Sequence, residues 1–68
     1  MKPAAYVIQE FRGVRATARV LGLSPSTVSR WQRTGLIPGE HHVPILKAAK
    51  KSGIDISADN LVYGGRKK

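Results

Sequence analysis

Residues 24–35 read SPSTVSRWQRTG and carry hydroxyl, amide and guanidinium groups at close intervals. Ser26, Ser29, Arg30 and Arg33 stand at i, i+3, i+4 and i+7, so on a helix they form one outward stripe. The hydroxyls of Ser26 and Thr27 suit base edges or phosphate oxygens. The Arg30 guanidinium can donate two hydrogen bonds to O6 and N7 of a guanine. Gln32 could meet a flanking phosphate or base, and Arg33, close to the helix end, suits a phosphate. Groups of this kind recognise a surface; they make and break no covalent bond. A lone Arg is ordinarily a solvated surface charge, so the argument rests on the stripe.

The same stretch supplies what must hold that stripe. Ser24 is a good N-cap, Pro25 suits a first helical position, and Gly35 is a natural stop. Val28 and Trp31 point the other way, toward a core. Upstream, Val14, Thr17, Ala18 and Leu21 share one helical face, and Gly22 ends that helix. Ala18 leaves room for a second helix to cross closely. Gly22 turns the chain, and Val28 and Trp31 anchor the next helix. The spacing Ala-x3-Gly-x5-Val-x2-Trp over residues 14–33 is the pattern of a helix-turn-helix. The outer side of its first helix carries Arg15 and Arg19, four apart, with Arg12 just upstream and Lys2 able to join them. These fit phosphates and would fix register without reading sequence. Neutralising about five phosphates would give log K against log salt a slope near −4 to −5.

The remaining chain also reads as short helices. Ala4, Val7, Ile8 and Phe11 share a face over residues 3–11, with Pro3 near the start and Gly13 as a break. Leu36-Ile37-Pro38-Gly39 reads as a turn with apolar plugs. A fourth helix is expected from about 41–44 to 52, with Ile45, Ala48, Ala49 and Ser52 inward, Lys47, Lys50 and Lys51 outward, and Pro44 in the first turn. Ser57 can cap a fifth helix from Ala58 to about Tyr63, with Ile54, Ile56 and Leu61 closing the core. Strand signals are weak. The expected fold is all-α: five short helices in one domain over residues 1–63, then a flexible basic tail over 64–68.

Charge narrows the partner. The 68 residues hold 12 Lys and Arg against 4 Asp and Glu, a net +8 at neutral pH. Such an excess repels itself in a compact state and points to an anionic partner. A membrane surface would need a long basic amphipathic helix, and these helices are short. No run approaches the ~20 apolar residues of a span, and MKPAA lacks a hydrophobic signal region. With no cysteine, neither disulfides nor thiolate metal sites are available, which fits a reducing cytoplasm. Glu10, Glu40, Asp55 and Asp59 are scattered and sit in no catalytic motif. His41 and His42 point about 100° apart on a helix and do not chelate together readily; they read as a solvent-facing pair. Neither enzyme activity, cofactor, metal nor small-molecule substrate is expected. Single-stranded RNA readers favour exposed aromatics, and only Tyr6 and Tyr63 could be exposed, with partial burial open for both.

The run GVRATARVLGLSPSTVSRWQRTGLIP resembles the helix-turn-helix of phage Cro repressors, closest to the all-α Cro group and the related YdaS-like proteins. The opening MKPAAYVIQEFRG resembles their first helix, so the likeness covers roughly residues 1–45; helices four and five are merely compatible. The resemblance implies a lambda-repressor-like or Cro-like DNA-binding domain whose third helix enters the major groove. It implies a transcriptional repressor acting on a palindromic double-stranded DNA operator, as a weak homodimer at least on DNA. Carried over by position, Ser26, Thr27, Ser29 and Arg30 become the groove contacts. Pro25 departs from the pattern, standing where relatives often place a polar contact, so no operator sequence transfers. STVSRWQRTGLIPG is also similar to the MerR and excisionase group, where a two-stranded wing follows; HHVPILKAAKKSG shows no such alternation. YdaS-like relatives include toxin–antitoxin partners, so an antitoxin or protein-interaction module is the further alternative.

Overall fold

The computed structural model describes residues 1–65. Five α-helices follow in order: α1 (Pro3–Glu10), α2 (Val14–Leu21), α3 (Pro25–Thr34), α4 (His42–Lys51) and α5 (Ala58–Tyr63), with a 3-10 turn at Gly39–His41 before α4. No strand occurs among the described residues. Bounds and punctuation agree closely with the residue pattern. Pro3 and Pro25 occupy first positions, where a missing N–H costs nothing, and Pro44 falls in the first turn of α4.

Three helices end in the same way. An N–H just past the last turn reaches back five positions, and the residue before it adopts the left-handed conformation. In α2 the Leu23 N–H donates to the Ala18 carbonyl at 2.9 Å around Gly22, φ +73°. In α4 the Ile54 N–H donates to Ala49 at 2.8 Å around Gly53, φ +72°. In α1 the Gly13 N–H donates to Ile8 at 2.8 Å, yet the left-handed residue is Arg12, φ +73°. Among the described residues it is the one non-glycine with positive φ.

The core gathers on α1. Ala4, Val7, Ile8 and Phe11 are buried as their spacing requires, joined by Val28 and Trp31 of α3, Ile45 and Ala49 of α4, and Ile37, Ile56 and Leu61. Thr17 is fully buried, and its hydroxyl is satisfied by donating to the Gly13 carbonyl at 2.7 Å. Val14, Leu21, Leu46, Ala48 and Ile54 pack against the rim.

Several placements differ from expectation. Tyr6 is buried, since α5 covers a second side of α1; its hydroxyl faces the Asp55 carbonyl at 3.5 Å. Ser52 is exposed, because it caps α4 rather than continuing its inner face. Leu36 is not a plug: it is 65% exposed, and only Ile37 turns inward. His41 and His42 are not a solvent-facing pair. The His41 ring lies 5.0 Å from the Trp31 ring at 46°, and His42 Nε2 is 3.0 Å from the Ile37 carbonyl. Gly64 and Gly65 are no loose tail. Gly64 is buried against the backbone of Met1 and Lys2, and the Gly65 N–H donates to the Met1 carbonyl at 2.8 Å. The rest of the expected tail, Arg66 to Lys68, lies outside the described residues.

Candidate nucleic-acid interface

The α2–α3 unit is built as its spacing requires. Ala18, Val28 and Trp31 are 2%, 0% and 2% exposed, and the two helices pack directly on each other. Gly22 turns the chain between them. Open space surrounds its Cα, so its positive φ, and not close approach, is what demands glycine. Gly35 ends α3 with its N–H on the Trp31 carbonyl at 2.7 Å. The N-terminal segment locks that end: the Ala4 N–H donates to the Gly35 carbonyl at 3.3 Å, and the stem of Lys2 lies across Gly35. Lys2 therefore sits at the last turn of α3.

With Val28 and Trp31 committed to the core, the opposite side of α3 is free. Ser26, Arg30, Gln32 and Arg33 are exposed, while Ser29 and Thr27 are half-buried. The hydroxyls at the start of α3 are knitted together. Ser24 Oγ accepts from the Thr27 N–H at 3.4 Å and lies 3.1 Å from Ser26 Oγ and 3.0 Å from Thr27 Oγ1. Three O–H protons serve two oxygen–oxygen contacts, so one proton remains to be donated outward. Thr27 thus belongs partly to the cap, a role the residue pattern does not reveal.

The arginines of α2 and of the α1–α2 turn divide. Arg15 and Arg19 are exposed and, at about 100° per residue, nearly eclipse each other on one flank. Arg12 is exposed but borders a different cleft, shared with Glu10, Val20 and residues 52–55. Val20 lies about 100° beyond Arg19 around α2, so Arg12 and the Arg15–Arg19 pair occupy separate flanks.

Cations and anions are not fully segregated: Arg12 borders the same cleft as Glu10 and Asp55, and Arg30 the same groove as Glu40. Lys2, Arg12, Arg15, Arg19, Arg30, Arg33, Lys47, Lys50 and Lys51 are all exposed. Among the described residues none forms an ion pair; the one pair is His41 with Glu40, Nε2 to carboxylate 3.4 Å. Glu10, Asp55 and Asp59 border clefts around Tyr6 on the α1–α5 side, away from the outer face of α3.

One feature escapes the residue pattern. A groove of about 500 Å³ runs along the flank of α3, walled by Thr27, Arg30, Trp31 and Thr34 on one side and by Leu36, Ile37, Pro38, Glu40 and His41 on the other. The consecutive apolar letters Leu36-Ile37 were its sole signal.

No protein-family model matches the chain, and neither a curated protein nor a solved structure matches it significantly. Among the described residues no helix is long and apolar enough to cross a membrane.

Proposed function

We propose that this chain is a sequence-specific double-stranded DNA-binding protein, a Cro-like transcriptional repressor with a lambda-repressor-like helix-turn-helix domain. The observation that carries the reading is the two-sidedness of α3. Val28 and Trp31 are buried on one side, and Ser26, Arg30 and Arg33 stand exposed and without ion-pair partners on the other. A helix of this kind fits the major groove, with Ser26, Thr27, Ser29 and Arg30 at base edges. Arg15, Arg19, Gln32 and Arg33 meet phosphates, and Arg12 adds a contact from the other flank of α2. The protein works in the cytoplasm without cofactor, metal or catalysis. On a two-fold operator it binds as a weak homodimer; with no strand among the described residues, that contact uses helices or loops.

The excisionase-like alternative requires a β-wing after the motif, where this chain has α4 (His42–Lys51). An antitoxin would share the same DNA contacts and differ only in its circuit.

Selection from a random-sequence duplex pool tests the reading. A shared site should emerge, and Arg30→Ala should cost about 1–3 kcal/mol on it while relaxing preference at one base position. Failure to enrich any sequence would refute it; equal loss on all sequences would move Arg30 to the backbone.

A further inference from the structure

We propose that Lys2 clamps a phosphate on the DNA strand opposite to the one that Arg15 and Arg19 hold, so that the two walls of the major groove are gripped from the two ends of α3. The inference rests on the reading of α3 as the helix that enters that groove.

The residue pattern groups Lys2 with Arg12, Arg15 and Arg19, and the fold takes it elsewhere. Lys2 precedes α1 and Arg12 follows it, so about 12 Å of helix separates them. Lys2 meets the end of α3 instead. A Cβ on Gly35 would lie 2.5 Å from Lys2 Cδ and 3.5 Å from its Cβ and Cγ, so the bare glycine is the seat of the lysine stem. The base of that stem is fixed as well: the Tyr6 N–H donates to the Lys2 carbonyl at 2.9 Å, and the Ala4 N–H donates to the Gly35 carbonyl at 3.3 Å. The Lys2 side chain is nevertheless exposed and forms no ion pair among the described residues. A stem seated on the fold leaves the ammonium less freedom to lose when it binds an anion.

Length decides which strand each cation meets. Arg19 lies in the last turn of α2, three residues before Gly22 turns the chain toward the N-terminal end of α3. Lys2 lies at the C-terminal end, so the ten residues of α3, about 15 Å, stand between the two cations. The major groove is about 12 Å wide. A helix seated in it with Ser26, Thr27, Ser29 and Arg30 toward the bases brings its two ends to the two bordering backbones. Arg33, in the last turn of α3, falls on the same strand as Lys2. An ammonium is a compact point charge without a planar fork, which suits a phosphate.

Lys2→Met keeps an apolar stem on Gly35 and removes the charge, so it should melt as the wild type does. The full chain is titrated at several salt concentrations with a duplex selected from a random-sequence pool. One phosphate contact carries about 0.9 of log–log salt slope, so between about 50 and 200 mM salt the wild type should lose about 3.5-fold more affinity than Lys2→Met. Lys2→Arg should keep the wild-type slope. Neutral methylphosphonate linkages, placed one at a time in that duplex, then locate the contact. Within one half-site, the linkages that weaken the wild type and spare Lys2→Met should lie on one strand, and those that spare Arg15→Ala and Arg19→Ala on the other. An unchanged slope in Lys2→Met overturns the clamp and leaves the DNA reading standing. A loss confined to particular base sequences overturns it too, because Lys2 is then at a base edge. Both sets of linkages on one strand overturn the opposed grip. A slope that falls equally in Lys2→Arg reduces Lys2 to a packing stem and overturns the clamp. Enrichment of no sequence from the pool removes the DNA reading and the clamp together.

Discussion

Arg12→Gly should stabilise the fold and weaken binding to DNA. Arg12 holds φ +73° at the end of α1, with its own N–H on the Gln9 carbonyl at 3.0 Å and the Gly13 N–H on Ile8 at 2.8 Å. Gly22 and Gly53 fill the equivalent positions of α2 and α4 at φ +73° and +72°. The fold therefore uses glycine twice for a geometry that it forces on arginine once. A left-handed residue with a Cβ costs about 1–2 kcal/mol. Glycine loses about 0.5–1 kcal/mol more backbone entropy than alanine on folding, which offsets part of the gain. The net expectation is about 0.5–1 kcal/mol in favour of glycine, or about 2–8 °C in melting temperature for a domain of this size.

A strained residue persists where its side chain is needed, and under the proposed function that need is a phosphate contact. Far-UV circular dichroism melts of wild type, Arg12→Gly and Arg12→Ala separate the two effects. Alanine keeps the strain and should melt as the wild type does, while glycine should melt higher. Both should flatten the salt dependence of DNA binding by about 0.9 in log–log slope. A glycine variant that melts no higher would refute the strain argument. An unchanged slope would refute the contact and leave the strain without a function.

Three further outcomes are expected. Arg15→Ala and Arg19→Ala should each weaken binding uniformly across duplex sequences and reduce the salt slope by about one, read from titrations at several salt concentrations. Trp31→Ala should unfold the domain at ambient temperature, since loss of a core aromatic costs about 3–5 kcal/mol and small domains hold little more; a cooperative melt near that of wild type would count against the burial of the indole. Gly64→Ala should destabilise more than Gly22→Ala in paired melts, because both require a positive φ but only the Gly64 Cβ would collide with the Met1 carbonyl.

The sequence punctuation was legible because its physics is local. Ser24 and Pro25 start α3, Gly35 stops it, and Gly22 and Gly53 end α2 and α4, each through bonds spanning a few residues. The face of α3 was legible too, since Val28 and Trp31 leave the stripe no other side. What stayed hidden depends on distant partners. Tyr6 is buried by a segment about 50 residues later, beyond the reach of a helical period. Leu36 and Ile37 are adjacent apolar residues in a turn, and no period decides which one turns inward. His41 looks solvated until Trp31 passes beneath it. Gly64-Gly65 before a basic run spells a loose tail, yet glycine is also what a close backbone approach demands, and Met1 makes that approach. Arg12 reads as a neighbour of Arg15, and the left-handed turn sends it to another flank.

A ten-residue helix with two buried apolar side chains holds its place because one of them is tryptophan, which buries on the order of 200 Å². His41 lies against that indole, so the anchor takes little of the circumference of α3 and the rest is free for polar contact. The charges follow the same economy. Interspersing Glu10, Asp55 and Asp59 among the arginines would form ion pairs, each worth only about 0–1 kcal/mol at a surface. Glu10, Asp55 and Asp59 lie toward α1 and α5, with Arg12 bordering the same cleft as two of them, and the lysines and arginines stay unpaired among the described residues. On the proposed DNA-binding reading, the net charge of +8 raises the association rate with a duplex, an effect that salt removes. The weak ion pairs forgone cost the fold little, and in that reading the unpaired cations bear directly on finding a duplex.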